Sequence, residues 1–534
     1  MARGEGGRFD PSSTAPGEGP SLTGQAASGL RWSYLGYGAL AAANLAYTAT
    51  ISRLLDPVAF GLMALANLVV LFAGFFARMG LASALVQRPA LTDDDVRAAS
   101  TAGLAVGAAC YAVVWALAPA AGELFRAPDL IPVLRLLGVS FLFEGFSMTG
   151  MGLLRRQLRF RELSVITVGT YALGFLVVGV GMALAGAGVW SLVAGSLVSG
   201  ASQALWQYAL LRHPVRPVWR WQPYREVCGY GMRLSAAHLL DFAGGNLDNL
   251  AVGRVAGTAA LGQYSRAYYL AFQPLRWYLT QALTQVLFPH LSRIQDDPPR
   301  LRRASAVVLA LAAVVVFPAC TGMAVAAPQL VRVVLGPQWD LAATLVPWFA
   351  LAGGCSVVAA LAQTVAEAKA ELNRSLAVQA AYLVVLGGLV AAAVAVRSRG
   401  LWVFAAAVTA GEVLRQAGYV RLLRRVAGLS AAQVWQAYAP AAFAAAGVAL
   451  AVATPRAALA GRAPAPVTLA FELAAGALGL ALCIRFGPLA ALRRELAMRL
   501  EEAGVLGRAG GLRRRLAPLV LGRPSVAAGP EPRP

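Results

Sequence analysis

Runs of about 20 apolar residues recur along the whole chain with short polar breaks between them, and that length is what a helix needs to cross the hydrocarbon core of a bilayer. In lipid the backbone must satisfy its own hydrogen bonds, so such runs read as helices. They fall at 33–53, 58–80, 98–120, 131–152, 163–185, 188–211, 229–252, 262–289, 304–325, 342–365, 373–395, 401–421, 435–454 and 466–486. The expectation is an all-α polytopic integral membrane protein with about fourteen transmembrane helices. Composition agrees, since 58% of the 534 residues are hydrophobic and 13% are charged, against about 25% charged in soluble domains. A water-soluble enzyme of one to three domains does not fit that balance.

The charge that remains is strongly basic, with 46 Lys+Arg against 25 Asp+Glu and a formal net charge of +21. Every basic residue is Arg except Lys369. Alternate loops differ: one set carries Arg78, Arg88 and Arg97, then Arg155, Arg156, Arg159 and Arg161, then Arg212, Arg216, Arg220 and Arg225, then Arg293, Arg300, Arg302 and Arg303, then Arg421, Arg424 and Arg425. The opposite set has one or two arginines per loop. Positive charge stays on the cytoplasmic side, which places both termini there and fits an even number of helices. The plain reading of these loops is attraction to an anionic inner leaflet. Residues 1–29 lack an apolar stretch, so no cleavable signal peptide is read there and the segment is expected to be a disordered cytoplasmic tail. The basic tail 487–534 mixes Arg with Leu and Val, as a segment lying on the leaflet would. Arginines spread over every cytoplasmic loop, with few aromatics between them, argue against nucleic-acid binding. Five scattered cysteines and three histidines offer neither a disulfide framework nor a zinc site. No set of residues suggests a catalytic triad, a cofactor site or an enzyme.

The chain also repeats itself. ISRLLDPVAFGLMALA at 51–66 matches VGRVAGTAALGQYSRA at 252–267, pairing Arg53 with Arg254, Ala59 with Ala260 and Gly61 with Gly262. Two weaker matches follow in order at a similar offset. Six helices separate the copies, so both enter the membrane in the same direction, as in transporters with parallel repeats. The expected organisation is a six-helix lobe at 30–211, a basic linker at 212–228, a second six-helix lobe at 229–425 and an appended helix pair at 426–486. Such transporters bind substrate near the midplane and rock the lobes about it.

Polar residues inside membrane helices point to function. In GMRLSAAHLLDFAGGNLDNLAVGR, Asp241 and Asp248 lie two turns apart with Asn246 and Asn249 beside them, and Gly244–Gly245 permits a bend that would bare carbonyls. Carboxylates, amides and carbonyls suit a proton or sodium site; the alternative is that the aspartates pair with Arg233, Arg254 or another helix. Glu144 is a further proton-coupling candidate. Arg276 follows Gln273 and Pro274 and precedes Gln281. Its guanidinium matches phosphate oxygens, and the competing reading pairs it with Glu144 or Asp248. Glu412 and Arg415, three residues apart, are expected to satisfy each other, and Asn44 reads as interhelical hydrogen-bonding glue or a cavity residue.

SRLLDPVAFGLMAL, GLASALVQRPALTDDD, GNLDNLAVGRVAGTAALGQYSRAYYLAFQPL and VLFPHLSRIQDD together resemble the bacterial polysaccharide flippases, Wzx-like lipopolysaccharide (O-antigen) transporters of the multidrug/oligosaccharidyl-lipid/polysaccharide exporter superfamily. The resemblance covers roughly 30–425. It implies a transporter that turns undecaprenyl-pyrophosphate-linked oligosaccharides from the cytoplasmic to the outer leaflet of a bacterial plasma membrane, with an H⁺ or Na⁺ gradient as driving force. It implies pathway polymerases and glycosyltransferases as partners, and a cationic cavity in which Arg276, Arg78, Gln273, Gln281 and Asn44 are the expected contacts. Asp241, Asp248, Asn249 and Glu144 are the expected ion-coupling residues. The sequence departs from the family pattern at Arg78, where relatives often carry an acid, and at Arg276, where they are commonly neutral. Alternatives are a drug or small-molecule antiporter, a lipid II flippase, or a membrane-embedded glycosyltransferase or polymerase; the last is disfavoured by the short outer loops.

Overall fold

The structure, a computed structural model, describes residues 22–78, 85, 91–215, 221–276, 280–396, 400–459 and 462–486. The helices are α1 (Leu22–Leu54), α2 (Pro57–Arg78), α3 (Asp93–Phe125), α4 (Leu130–Leu137), α5 (Ser140–Arg156), α6 (Phe160–Leu184), α7 (Val189–Leu211), α8 (Trp221–Pro274), α9 (Thr280–Arg293), α10 (Pro298–Val325), α11 (Ala327–Val334), α12 (Asp340–Ala368), α13 (Leu372–Ala395), α14 (Trp402–Ala427), α15 (Ala431–Leu459) and α16 (Ala465–Phe486). The described residues of each expected run are predominantly helical. Among the described residues, nine segments are long and apolar enough to cross a membrane, which makes this a multi-pass membrane protein. Its surface agrees. Val384 and Leu450 are 77% and 70% exposed, an arrangement that lipid tolerates and water does not.

Local chemistry sets the helix ends. The acidic run Asp93–Asp95 opens α3, where the Thr92 hydroxyl accepts from the Asp95 amide and the Asp95 carboxylate accepts from the Thr92 amide. This capping box satisfies two donors that the first turn leaves open. Asp56 caps α2 by accepting from the Ala59 amide at 2.9 Å.

The chain forms two compact units, Met1–Ser265 with Val334–Gln338 and Arg266–Val333 with Trp339–Pro534. In the first, the repeat becomes geometry. A side chain at Gly61 would run into the Thr258 carbonyl, and one at Gly262 into the Pro57 carbonyl, so each copy lays its glycine on the first residue of the other copy's second helix. α1 breaks before α2 at Asp56, and α8 breaks at the equivalent Gly257, whose φ of 83° suits glycine. Gln338 joins the copies, donating to the Ser52 carbonyl at 2.6 Å and accepting from Gln263 at 2.8 Å. The bend that Gly244–Gly245 would permit is not made: the non-helical residue inside α8 is Gly257, in the gap between the runs 229–252 and 262–289. Glycine permits a bend, whereas a left-handed φ at Gly257 makes one.

In the second unit the core runs through Leu301, Leu309, Val358, Ala362, Tyr419 and Leu423 on α10, α12 and α14. α15 lies along α10, and α16 along α15 with Gly476 against Val452 and Gly479 against Ala451. Small residues let these backbones approach closely.

Candidate functional site

The second unit carries an ionic cluster inside its apolar body. Glu412 on α14 is fully buried. Its Oε2 accepts from Arg415 Nε at 2.9 Å and lies 2.7 Å from Nη2. Its Oε1 accepts from the Tyr382 hydroxyl of α13 at 3.0 Å and lies 3.6 Å from Arg276 Nη1. Two guanidiniums thus share one carboxylate. Arg415 also lies over the Tyr382 ring at 5.1 Å, and Arg276 over Phe272 at 5.6 Å. Such stacking keeps a guanidinium at the protein's expense of little solvation. Next along α14, Gln416 donates to the Tyr438 hydroxyl of α15 at 2.6 Å.

The two arginines are not equivalent. Arg415 is 7% exposed, while the Arg276 side chain is 29% exposed. Arg276 follows Pro274, where regular α8 ends and a brief π-helical turn begins; proline has no amide to continue the ladder. Beside it, Gln273 has an enclosed Oε1 without a hydrogen-bond partner. A partly open guanidinium is an arrangement that can receive an anion.

The expected ion-coupling residues scatter. Asp248 is buried and accepts from the Tyr264 hydroxyl at 2.8 Å, so within the first unit it ties the two halves of α8 across the Gly257 break. Asn249 is half-buried in the same helix. Glu144 on α5 is half-buried, one turn before Ser147, which donates to Gln207 Oε1 of α7 at 2.8 Å. Asn44 is exposed on α1, accepting from Thr48 at 3.4 Å. The side chains of Arg78, Asp241 and Gln281 lie outside the described residues. Within its own unit Arg276 meets Glu412. The Glu412–Arg415 pair stands as its spacing predicts.

Two further polar features lie at helix ends. In the second unit a cavity of about 300 Å³ is lined by Arg302, Lys369 and Arg425, with Lys369 Nζ donating to the Gln295 carbonyl at 2.9 Å. In the first, His213 just beyond α7 is buried among Phe146 and Tyr208. Burial holds its imidazole below the ordinary value.

Sequence reasoning missed Tyr382, Gln416 and Tyr438 as members of the cluster, and it passed over Glu472 of α16. The signal for Glu472 was present, because it is a lone acid in an apolar run.

Comparison with solved structures defines the class. The fold is shared with the lipid II flippase MurJ in an inward closed conformation, at a TM-score of 0.68 and 10% identity, covering 87% of this chain and 100% of that one. It is shared also with an inward-facing multidrug resistance MATE family transporter of the MOP superfamily, at a TM-score of 0.56 and 17% identity over 72% and 94% of the two chains. What is shared is the helical architecture of a polytopic membrane protein. The chain belongs to the polysaccharide biosynthesis protein family, whose profile matches residues 50–344 and so takes in both copies of the repeat motif. It is 24% identical over 330 residues to the lipopolysaccharide biosynthesis protein WzxC of Escherichia coli, covering 60% of this chain and 65% of that one. It is 28% identical over 306 residues to the succinoglycan biosynthesis transport protein ExoT of Rhizobium meliloti, covering 57% and 61%. The teichuronic acid biosynthesis protein TuaB of Bacillus subtilis is 23% identical over 62% and 69% of the two chains. The chain thus spans about two thirds or less of the length of WzxC and ExoT.

Proposed function

We propose that this protein moves a polyprenyl-pyrophosphate-linked oligosaccharide from the cytoplasmic to the outer leaflet of a bacterial plasma membrane by alternating access, as a carrier rather than an enzyme. The observation that carries this reading is the pair of guanidiniums gathered on Glu412, with Arg276 partly open, in a member of the polysaccharide biosynthesis family. A pyrophosphate offers the diffuse negative charge a guanidinium fork binds best, and the enclosed Gln273 amide beside it suits sugar hydroxyls. Relatives named for lipopolysaccharide biosynthesis and succinoglycan transport support the choice of cargo. So does the name of MurJ as a lipid II flippase, at the level of fold. Arg78, Gln281 and Asn44 are secondary contacts in this reading.

Coupling to an H⁺ or Na⁺ gradient is assigned to Asp248 with Asp241 and Asn249, and to Glu144. Fourteen crossings with both termini cytoplasmic, and lobes at 30–211 and 229–425, complete the proposal. Its test is translocation of a fluorescent polyprenyl-pyrophosphate oligosaccharide in proteoliposomes. Arg276→Ala should cut the rate at least about tenfold, which corresponds to about 1.4 kcal/mol of lost binding, at unchanged protein level. Equal rates remove Arg276 from the site, and sugar polymerisation without translocation sinks the reading altogether. In the same assay Asp248→Asn should abolish any dependence on an imposed ion gradient; a dependence that persists returns Asp248 to its role as a tie to Tyr264.

A further inference from the structure

Glu472 is eight residues into α16, about 10 Å along the helix from its start. Its neighbours Phe471 and Leu473 are 56% and 62% exposed, as lipid-facing residues are, while Glu472 is 0% exposed. Both of its carboxyl oxygens lack a hydrogen-bond partner. The α15–α16 contact on its C-terminal side is close, with Gly476 against Val452 and Gly479 against Ala451. A carboxylate enclosed without a partner costs several kcal/mol, whereas a neutral carboxylic acid there forgoes only about 1–3 kcal/mol of hydrogen bonding. The enclosed arrangement is therefore that of the acid with its proton on.

Across the contact, Arg456 of α15 donates from Nη1 to the carbonyl of Val325, the last residue of α10, at 2.8 Å. Its charge also acts on Glu472. The other titratable groups of the packed elements are otherwise engaged or lie at a distance along them. Tyr438 near the start of α15 accepts from Gln416, Arg462 past its end donates to the Ala458 carbonyl, and Arg332 of α11 pairs with Asp340. Cys320 of α10 is buried, and Cys483 and Arg485 lie three turns or more along α16.

We propose that Glu472 is a proton-binding site, and that its proton decides whether Arg456 holds the end of α10 or turns to the carboxylate. With the proton on, α16 lies flush on α15 and Arg456 straps α15 to Val325. Loss of the proton leaves a carboxylate that takes the guanidinium, and the strap to α10 is released. The site lies on the appended helix pair, and nothing in the exchange depends on which molecule the protein carries.

Dicyclohexylcarbodiimide tests this directly, because the apolar reagent reaches carboxyls inside membranes and reacts with their protonated form. The acid adds O–H across one C=N bond to give an O-acylisourea, which rearranges to a stable N-acylurea. The full chain in liposomes would be treated across a pH series and the modified residue mapped by mass spectrometry. Glu472 should be labelled at acidic pH, with labelling falling about tenfold per pH unit above its midpoint, and Glu472→Gln should remove the label from that peptide. Arg456→Gln should keep the label to higher pH, and Arg456→Lys, which retains the charge, should restore the original profile. Absence of label on Glu472 at acidic pH overturns the proton site. A profile indifferent to Arg456→Gln overturns the exchange with Arg456.

Discussion

Glu412 and Glu472 are both wholly enclosed on helices of the same compact unit, yet they are accommodated in opposite ways. Glu412 is met by Arg415, Arg276 and Tyr382, while Glu472 has no hydrogen-bond partner at all. The difference teaches that burial alone does not decide the state of a membrane carboxyl. The partners supplied by neighbouring helices do, since pairing must offset desolvation for the charged form to persist.

The largest test of that contrast is Glu412→Ala, which leaves two guanidiniums facing each other in an apolar interior. A loss of about 3–5 kcal/mol is expected, read as a lowered midpoint in detergent-solubilised thermal unfolding; an unchanged midpoint would erase the contrast. Tyr382→Phe removes one hydrogen bond to a charged acceptor, for an expected loss of about 1.5–3 kcal/mol in the same measurement. For Glu472 the sign reverses. Glu472→Leu removes an unsatisfied polar group and should raise stability by about 1 kcal/mol or more, and a large loss would mean that the carboxyl has a partner after all.

The smallest effect concerns His213, a buried titratable group outside the membrane helices. Because burial lowers its value from the ordinary 6.5, the folded protein favours the neutral ring. Its stabilising contribution is full above about pH 6.5 and is lost as the pH falls through the lower folded value. Acid unfolding should begin at lower pH in His213→Asn; coincident acid profiles would show that the imidazole does not titrate with unfolding.

Much of the architecture is legible in the sequence. The apolar runs fall on helices, the Gly61–Gly262 match becomes a reciprocal backbone contact, and Glu412–Arg415 pairs as a three-residue helical spacing demands. The break in α8 falls in the gap between the apolar runs 229–252 and 262–289, although Gly244–Gly245 looks equally permissive in sequence. What distinguishes Gly257 is its place opposite Asp56 in the repeat. The meeting of Arg276 with Glu412 was not legible: Glu412 lies on a helix 136 residues away, and sequence separation carries no information about which helices touch.

The sequence by itself determined that this chain is helical, spans a membrane many times and repeats a motif, because hydropathy, segment length and small-residue patterning are properties each segment carries alone. Only the tertiary structure decided which charges meet. An ion pair inside a membrane protein is chosen by the packing of distant helices, and the same residue type in an apolar run becomes a paired carboxylate at Glu412 and a carboxyl without a hydrogen-bond partner at Glu472.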